Sequence, residues 1–324
     1  MKPRHLVTLW DLDRGAILDL FRATAELKRE RRHPSRPAAT HPRRGTSSAA
    51  WTVPPRSLAS KTLGLLFQKP SVRTRVSFEV GMAQLGGQSI YIGPVELQEG
   101  KREAPKDVAR VLSRYLDGIV ARTFRHAEVE EMARYSGIPV INGLSDTSHP
   151  CQALADLFTV QEKTGKLQAI QIAYVGDGNN VCHSLMEVCA LLGVRLAIAS
   201  PKGYQPDRAV ARRAGLQAKK SGGRIEITQD PAQAVRGAAV VYTDVWTSMG
   251  QEQDRQRRKK AFRGFRVDGR MMKSAGRNAL FMHCLPAHRG EEVTDEVMDS
   301  RQSIVYDQAE NRLHVQKAIL LKLL

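Results

Sequence analysis

Short apolar runs alternate along the chain with longer segments in which apolar residues recur every three or four positions. Leu63 to Phe67 reads as a buried strand. Residues 75–85 read as a helix with Phe78, Met82 and Leu85 on one face, closed by Gly86-Gly87. The alternation continues with a strand at 89–92, a helix at 106–115, a strand at 118–121, a helix at 127–136 and a strand at 139–142. A long helix follows from His149 to about Gly165. A second series then runs: strand 171–175, helix 180–192, strand 195–199, helix 209–221, strand 224–227, helix 231–235 and strand 239–243. A late strand at 279–282 and an apolar helix at 315–324 complete the reading. Two strand–helix series predict an α/β protein of two doubly wound domains with mostly parallel sheets. The boundary falls in the helix after His149, giving domains 1–150 and 151–309.

Composition narrows the class. The chain has 324 residues, of which 42% are hydrophobic and 26% charged. That suits a globular protein and not a disordered one. No uncharged apolar run approaches the roughly 18 residues a spanning helix needs. Asp11 and Asp13 interrupt the one candidate secretory segment. Four cysteines without a Cys-x-x-Cys pair suggest a reduced, cytoplasmic protein with no structural zinc site. The net charge of +17 is concentrated in part between Arg31 and Ser57, where six Arg and five Pro stand with no acidic residue. That stretch is expected to be an exposed insertion. The second basic run, from Arg255 to Lys260, carries no aromatic side chain for base stacking. Both runs are read as solvated surface rather than a nucleic-acid interface.

Unusual residues stand where strands end and helices begin, the place where α/β sheets bind ligands. After Phe67 comes Lys69-Pro-Ser-Val-Arg-Thr-Arg75. Ser71, Arg73 and Thr74 at a helix start suit an anion, and equally suit a capped helix with surface arginines. Arg122 ends another strand. His149 and Gln152 open a helix, where the dipole favours a neutral imidazole; a capping role for His149 is the plain alternative. Gly176-Asp-Gly178 resembles a dinucleotide loop, but Val181 replaces the third glycine. Asp244, Ser248 and Met249 follow one strand, and His283-Cys284-Leu285-Pro286 follows another. A Ser or Cys hydrolase is the rival chemistry, yet no G-x-S-x-G elbow is present.

Taken together, these motifs resemble the aspartate/ornithine carbamoyltransferase family over nearly the whole chain outside 31–57. The resemblance rests on Lys69 through Glu79, His149-Pro-Cys-Gln152, Asp177-Gly-Asn-Asn180, Asp244 with Ser248-Met-Gly250, His283-Cys-Leu-Pro286 and Ala309-Glu-Asn-Arg312. Ser-Met-Gly and His-Cys-Leu-Pro point to the ornithine branch. It implies a first domain that binds carbamoyl phosphate, with 310–324 returning to pack on it. Ser71, Val72, Arg73, Thr74, Gln98, Arg122, His149, Gln152 and Arg312 would form that site. Gln98 would come from a neighbouring subunit of a homotrimer. Asn180, Asp244, Ser248, Met249, Cys284 and Leu285 would bind L-ornithine, and Arg122, His149, Asp244 and Cys284 would be catalytic. No cofactor and no metal are implied.

The expected activity is transfer of the carbamoyl group to the δ-amine of ornithine, giving citrulline and phosphate. Another amine, such as putrescine or an N-acylated ornithine, and a catalytically weak binding protein are the alternatives. Three features depart from the family pattern: Val72 in place of Thr, the sequence Gly100 to Pro105, and the basic stretch itself. Loss of the Thr hydroxyl is expected to weaken carbamoyl phosphate binding.

Overall fold

The fold comes from a computed structural model, which describes residues 5–32, 57–97, 103–248 and 252–324. Two compact units emerge, one of residues 1–146 with 312–324 and one of 147–311. Both are parallel α/β sheets, as the strand–helix alternation predicts.

The first unit carries β1 (Thr62–Phe67), β2 (Gln88–Ile92), β3 (Gly118–Arg122) and β4 (Val140–Leu144) in the order β2-β1-β3-β4. Every pairing is parallel, and Phe67 is level with Arg122 across β1 and β3. β1 and β3 are covered on both faces, so they read as unbroken apolar runs rather than alternating ones. The helices are α1 (Arg14–Arg32), α2 (Val72–Gln84), α3 (Pro94–Leu97), α4 (Pro105–Leu112) and α5 (His126–Tyr135). Ala109, Val129 and Met132 from α4 and α5 bury against Ile119 and Ala121 of β3.

The second unit begins with α6 (Pro150–Thr164). Its sheet is β5 (Gln171–Val175), β6 (Arg195–Ala199), β7 (Arg224–Thr228), β8 (Val240–Thr243) and β9 (Leu280–His283), ordered β7-β6-β5-β8-β9 and parallel throughout. Helices α7 (Asn180–Leu192), α8 (Arg208–Ser221), α9 (Pro231–Val235), α10 (Arg255–Ala261), α11 (Gly269–Ala275) and α12 (Asp295–Met298) complete it. α7 is buried from Val181 to Leu192, so that even its polar stripe of His183, Ser184 and Glu187 is enclosed. It ends at Gly193, with φ +76° and a Cβ position only 2.5 Å from the Ser221 carbonyl oxygen, so no other residue fits without movement. α13 (Val305–Leu323) starts in the second unit and finishes in the first.

Three differences from the sequence reading concern α1, α2 and α13. α2 starts at Val72 rather than 75, because Ser71 caps it: Ser71 Oγ accepts from the Thr74 N–H at 3.3 Å. α13 starts ten residues before 315, at Val305, through a polar stretch in which Gln308, Asn311, Arg312 and His314 are buried while Tyr306 is exposed. α1 reaches Arg32, so the first two residues of the supposed insertion are helical, and residues 33–56 lie outside those described. No helix among the described residues is long and apolar enough to cross a membrane.

Candidate active site

In the first unit the turn between β1 and α2 is fixed from both sides. The Gln68 N–H donates to the Arg122 carbonyl at 2.8 Å. Its side-chain oxygen accepts from the Phe124 N–H at 2.7 Å, and its Nε2 donates to Glu128 at 2.6 Å. Lys69 is buried over the Phe124 ring, 4.8 Å from its centroid. Thr74 is buried, and its hydroxyl accepts from Arg312 Nη2 at 2.9 Å. Arg312 and Arg122 are both buried, at 4% and 6% exposure. Arg73 is exposed, and its guanidinium makes no ion pair among the described residues. Val72 is 77% exposed at the first residue of the helix. The open N–H groups of that first turn therefore stand with three arginines, an arrangement that suits a phosphate.

In the second unit His149 precedes Pro150 at the start of α6. Its backbone N–H donates to Ser184 Oγ at 2.8 Å, and its side chain makes no capping bond. The plain side-chain capping role is thus absent. Gln152, one turn on, donates from Nε2 to Asp156 Oδ1 at 2.8 Å.

The ends of β5, β8 and β9 meet around Asp244. Its Oδ2 accepts from Asn179 Nδ2 at 2.8 Å, and its Oδ1 accepts from the Val245 N–H at 2.8 Å and from the Cys284 thiol at 3.0 Å. Burial, and after it the Asp244 carboxylate, hold the half-buried Cys284 well above the usual thiol range, so it stands as a neutral S–H donor. Leu285 sits at φ +60°, its N–H donating to His283 Nδ1 at 2.9 Å. That bond makes Nδ1 the acceptor, so the other nitrogen, Nε2, carries the proton and donates to Glu292 at 3.2 Å. Asp177 pairs with Arg258 at 2.8 Å, yet burial outweighs the guanidinium and lifts its carboxyl to about 6.

Comparison with known proteins gives the family. The description "Aspartate/ornithine carbamoyltransferase, carbamoyl-P binding domain" matches residues 4–162, and "Aspartate/ornithine carbamoyltransferase, Asp/Orn binding domain" matches residues 168–323. The chain belongs to the aspartate/ornithine carbamoyltransferase family. It is 56% identical over 271 residues to an ornithine carbamoyltransferase of Pyrococcus horikoshii, covering 84% of this chain and 86% of that one. An ornithine carbamoyltransferase of Anoxybacillus flavithermus is 48% identical over 324 residues, covering 100% and 98%. The solved structure of the Pyrococcus furiosus ornithine carbamoyltransferase superposes with a TM-score of 0.90 at 49% identity, covering 98% and 96%.

Within the carbamoyltransferase frame, several sequence expectations can be placed. Ser71, Val72, Thr74, Arg122 and Arg312 gather at one sheet end of the first unit through the bonds and register above. Asp244, Cys284 and Leu285 gather in the second, with Asn180 opening α7 and Ser248 half-buried beyond β8. Gln98, Met249 and residues 100–102 lie outside the described residues. Sequence reasoning missed Asn179, which both caps α7 and holds Asp244. Its place two residues after Asp177, at a helix start, was the available signal.

The resemblance of the Gly176-Asp-Gly178 loop to a dinucleotide site has a steric answer. A Cβ on Gly178 would lie 2.1 Å from the Pro206 nitrogen, and the Gly178 N–H donates to the Tyr204 carbonyl at 2.8 Å. The chain's own backbone covers the face a pyrophosphate would approach. Asp244, His283 and Cys284 bring possible metal-ligand atoms within 4.8 Å, but both His283 nitrogens are already engaged. A separate cavity of 570 Å³ in the second unit, lined by Trp246, Arg263 and Met271 among others, contains none of the predicted site residues.

Proposed function

We propose that this protein transfers the carbamoyl group of carbamoyl phosphate to the δ-amine of L-ornithine, giving L-citrulline and phosphate. The observation that carries the reading is Asp244, held by Asn179 and Val245 and bonded to the Cys284 thiol at the ends of β8 and β9. Such a carboxylate–thiol pair is built to receive an amine.

Ser71, Arg73, Thr74 and the first-turn N–H groups of α2 hold the phosphate, with Val72 contributing only its backbone. Arg312 completes the charge around it. Arg122, His149 and Gln152 orient the carbamoyl group, and the two basic groups stabilise the oxygen as negative charge builds there. Asn180, Ser248, Met249 and Leu285 hold ornithine. Asp244 and Cys284 position its δ-amine, which reacts in its neutral form. The neutral amine attacks the carbonyl carbon and the C–N bond forms; the carbon–oxygen bond then breaks with its electron pair leaving on phosphate, which takes up the proton shed by the nitrogen. Much of the acceleration comes from holding the two reactants in register. Gln98, lent by a neighbouring copy, completes the site in a homotrimer, and the enzyme works in the cytoplasm. Light scattering then gives about three times the 36.0 kDa of one chain.

A colorimetric citrulline assay with carbamoyl phosphate tests the reading, with ornithine, putrescine, N-acetylornithine and aspartate run in parallel. Product with ornithine alone supports it. Product with another amine replaces the substrate, and no product from folded protein removes the activity.

A further inference from the structure

Asp156 takes no part in the mechanism above, yet three side chains converge on it. It is 1% exposed, one helical turn beyond Gln152 on α6. Its Oδ1 accepts from Gln152 Nε2 at 2.8 Å and from Gln308 Nε2 at 2.7 Å, and its Oδ2 accepts from the Tyr242 hydroxyl at 3.1 Å. Gln308 then accepts at its Oε1 from the His283 N–H, at 3.0 Å. One carboxylate thereby links α6, β8 and the start of α13 to the end of β9, where Cys284 follows.

A buried carboxylate is costly, and a fold seeking only cohesion is served as well by apolar side chains. What the carboxylate adds is a direction. An ionised carboxylate only accepts hydrogen bonds, whereas a carboxamide both donates and accepts and can turn over. Facing Asp156, Gln152 must present its nitrogen to the carboxylate and turn its oxygen the other way. An amide oxygen suits the NH2 of a carbamoyl group and repels its carbonyl oxygen.

We propose that Asp156 is a positioning residue of the transfer reaction: it fixes Gln152 so that the amide oxygen meets the carbamoyl NH2, and through Gln308 it ties that side chain to the strand end bearing Cys284. The inference rests on the carbamoyl-transfer reading of this site. Loss of Asp156 therefore acts on turnover through Gln152, and a role in cohesion alone acts without regard to Gln152.

The test is a double-mutant cycle of Asp156→Asn and Gln152→Ala, with thermal midpoints recorded and the unaltered chain assayed in parallel. Asp156→Asn lowers kcat/KM about tenfold or more beside Gln152, and less than about twofold in the Gln152→Ala background. The same factor in both backgrounds overturns the proposal. If Asp156→Asn does not fold, the reciprocal exchange decides. Gln152→Glu combined with Asp156→Asn keeps one carboxylate and one amide at the two positions, and restores the donor–acceptor pair. Its kcat/KM then stands about tenfold above that of Gln152→Glu alone, and equal values overturn the proposal. Failure of the unaltered chain to make citrulline is a different result, and removes the functional reading instead.

Discussion

Arg312 donates to the hydroxyl of Thr74 at 2.9 Å across 238 positions of sequence, joining α13 to the first turn of α2. Both side chains are buried. Thr74→Val keeps the shape and removes the acceptor, leaving a charged donor short of a partner. The expected cost is about 1–3 kcal/mol. Part of it appears as a lower unfolding midpoint, and the rest as a KM for carbamoyl phosphate raised about tenfold. Unchanged kinetics would show that Arg312 does not need this bond to serve the phosphate.

Arg73 separates activity from stability. Its guanidinium is exposed and makes no ion pair among the described residues, so Arg73→Ala should shift stability by no more than about 0.5 kcal/mol. Turnover should fall below detection. Near-normal citrulline formation would reject this turn as the phosphate site.

Val72 gives the opposite sign. It is 77% exposed, so a hydroxyl can be added there without repacking. Val72→Thr should lower the KM for carbamoyl phosphate about tenfold, the equivalent of one hydrogen bond to a charged group. An equal or higher KM, measured at saturating ornithine, would show that the position does not limit binding.

Asp177 should leave a mark on the pH dependence of folding. Burial lifts its carboxyl from 3.8 to about 6 in the folded chain, against the pull of Arg258. The folded state therefore holds the proton more tightly than the unfolded one. The stability this contributes is present below about pH 4 and is lost as pH rises through about 6, a change on the order of 3 kcal/mol. Urea unfolding of the chain and of Asp177→Asn across that range reads the difference. The unaltered chain should lose stability relative to the variant as pH rises, and a constant gap would contradict the shift.

The thiol of Cys284 reports on Asp244. The other three cysteines are buried, so iodoacetamide applied to the folded protein reads this one. Asp244→Asn removes a negative charge beside the sulfur while burial continues to oppose the thiolate. Alkylation at about pH 8 should run about threefold faster or more. Equal or slower modification, followed by mass spectrometry, would uncouple the pair.

Much of the architecture was visible in the residues. β1, β3, β5 and β8 are covered on both faces, so each stands out as an unbroken apolar run. Asp244, Cys284 and Arg122 were legible because parallel sheets deliver chemistry at strand ends. α1 was overlooked although Ile17, Leu20, Phe21 and Leu27 follow helical spacing and are all buried. The first turns of α13 were hidden for a different reason. Gln308, Asn311, Arg312 and His314 are polar and buried, which defeats any reading based on hydrophobicity. Asn179 and Asp156 also bond to partners dozens of positions away, Asp244 and Gln308, and no local pattern encodes those pairings.

The path of α13 also sets an order of assembly on the ribosome. The segment 312–324 belongs with residues 1–146, although the whole of 147–311 is translated between them. It supplies Arg312 to Thr74, sets Leu313 and Leu320 beside Gly81 of α2, and joins Lys317 to Gln84 at 3.1 Å. A nascent chain can form the parallel sheet of its first unit early, but the surroundings of Thr74 stay open until residues 312–324 have been made. Truncation ahead of residue 312 therefore strikes the part of the chain that was made first.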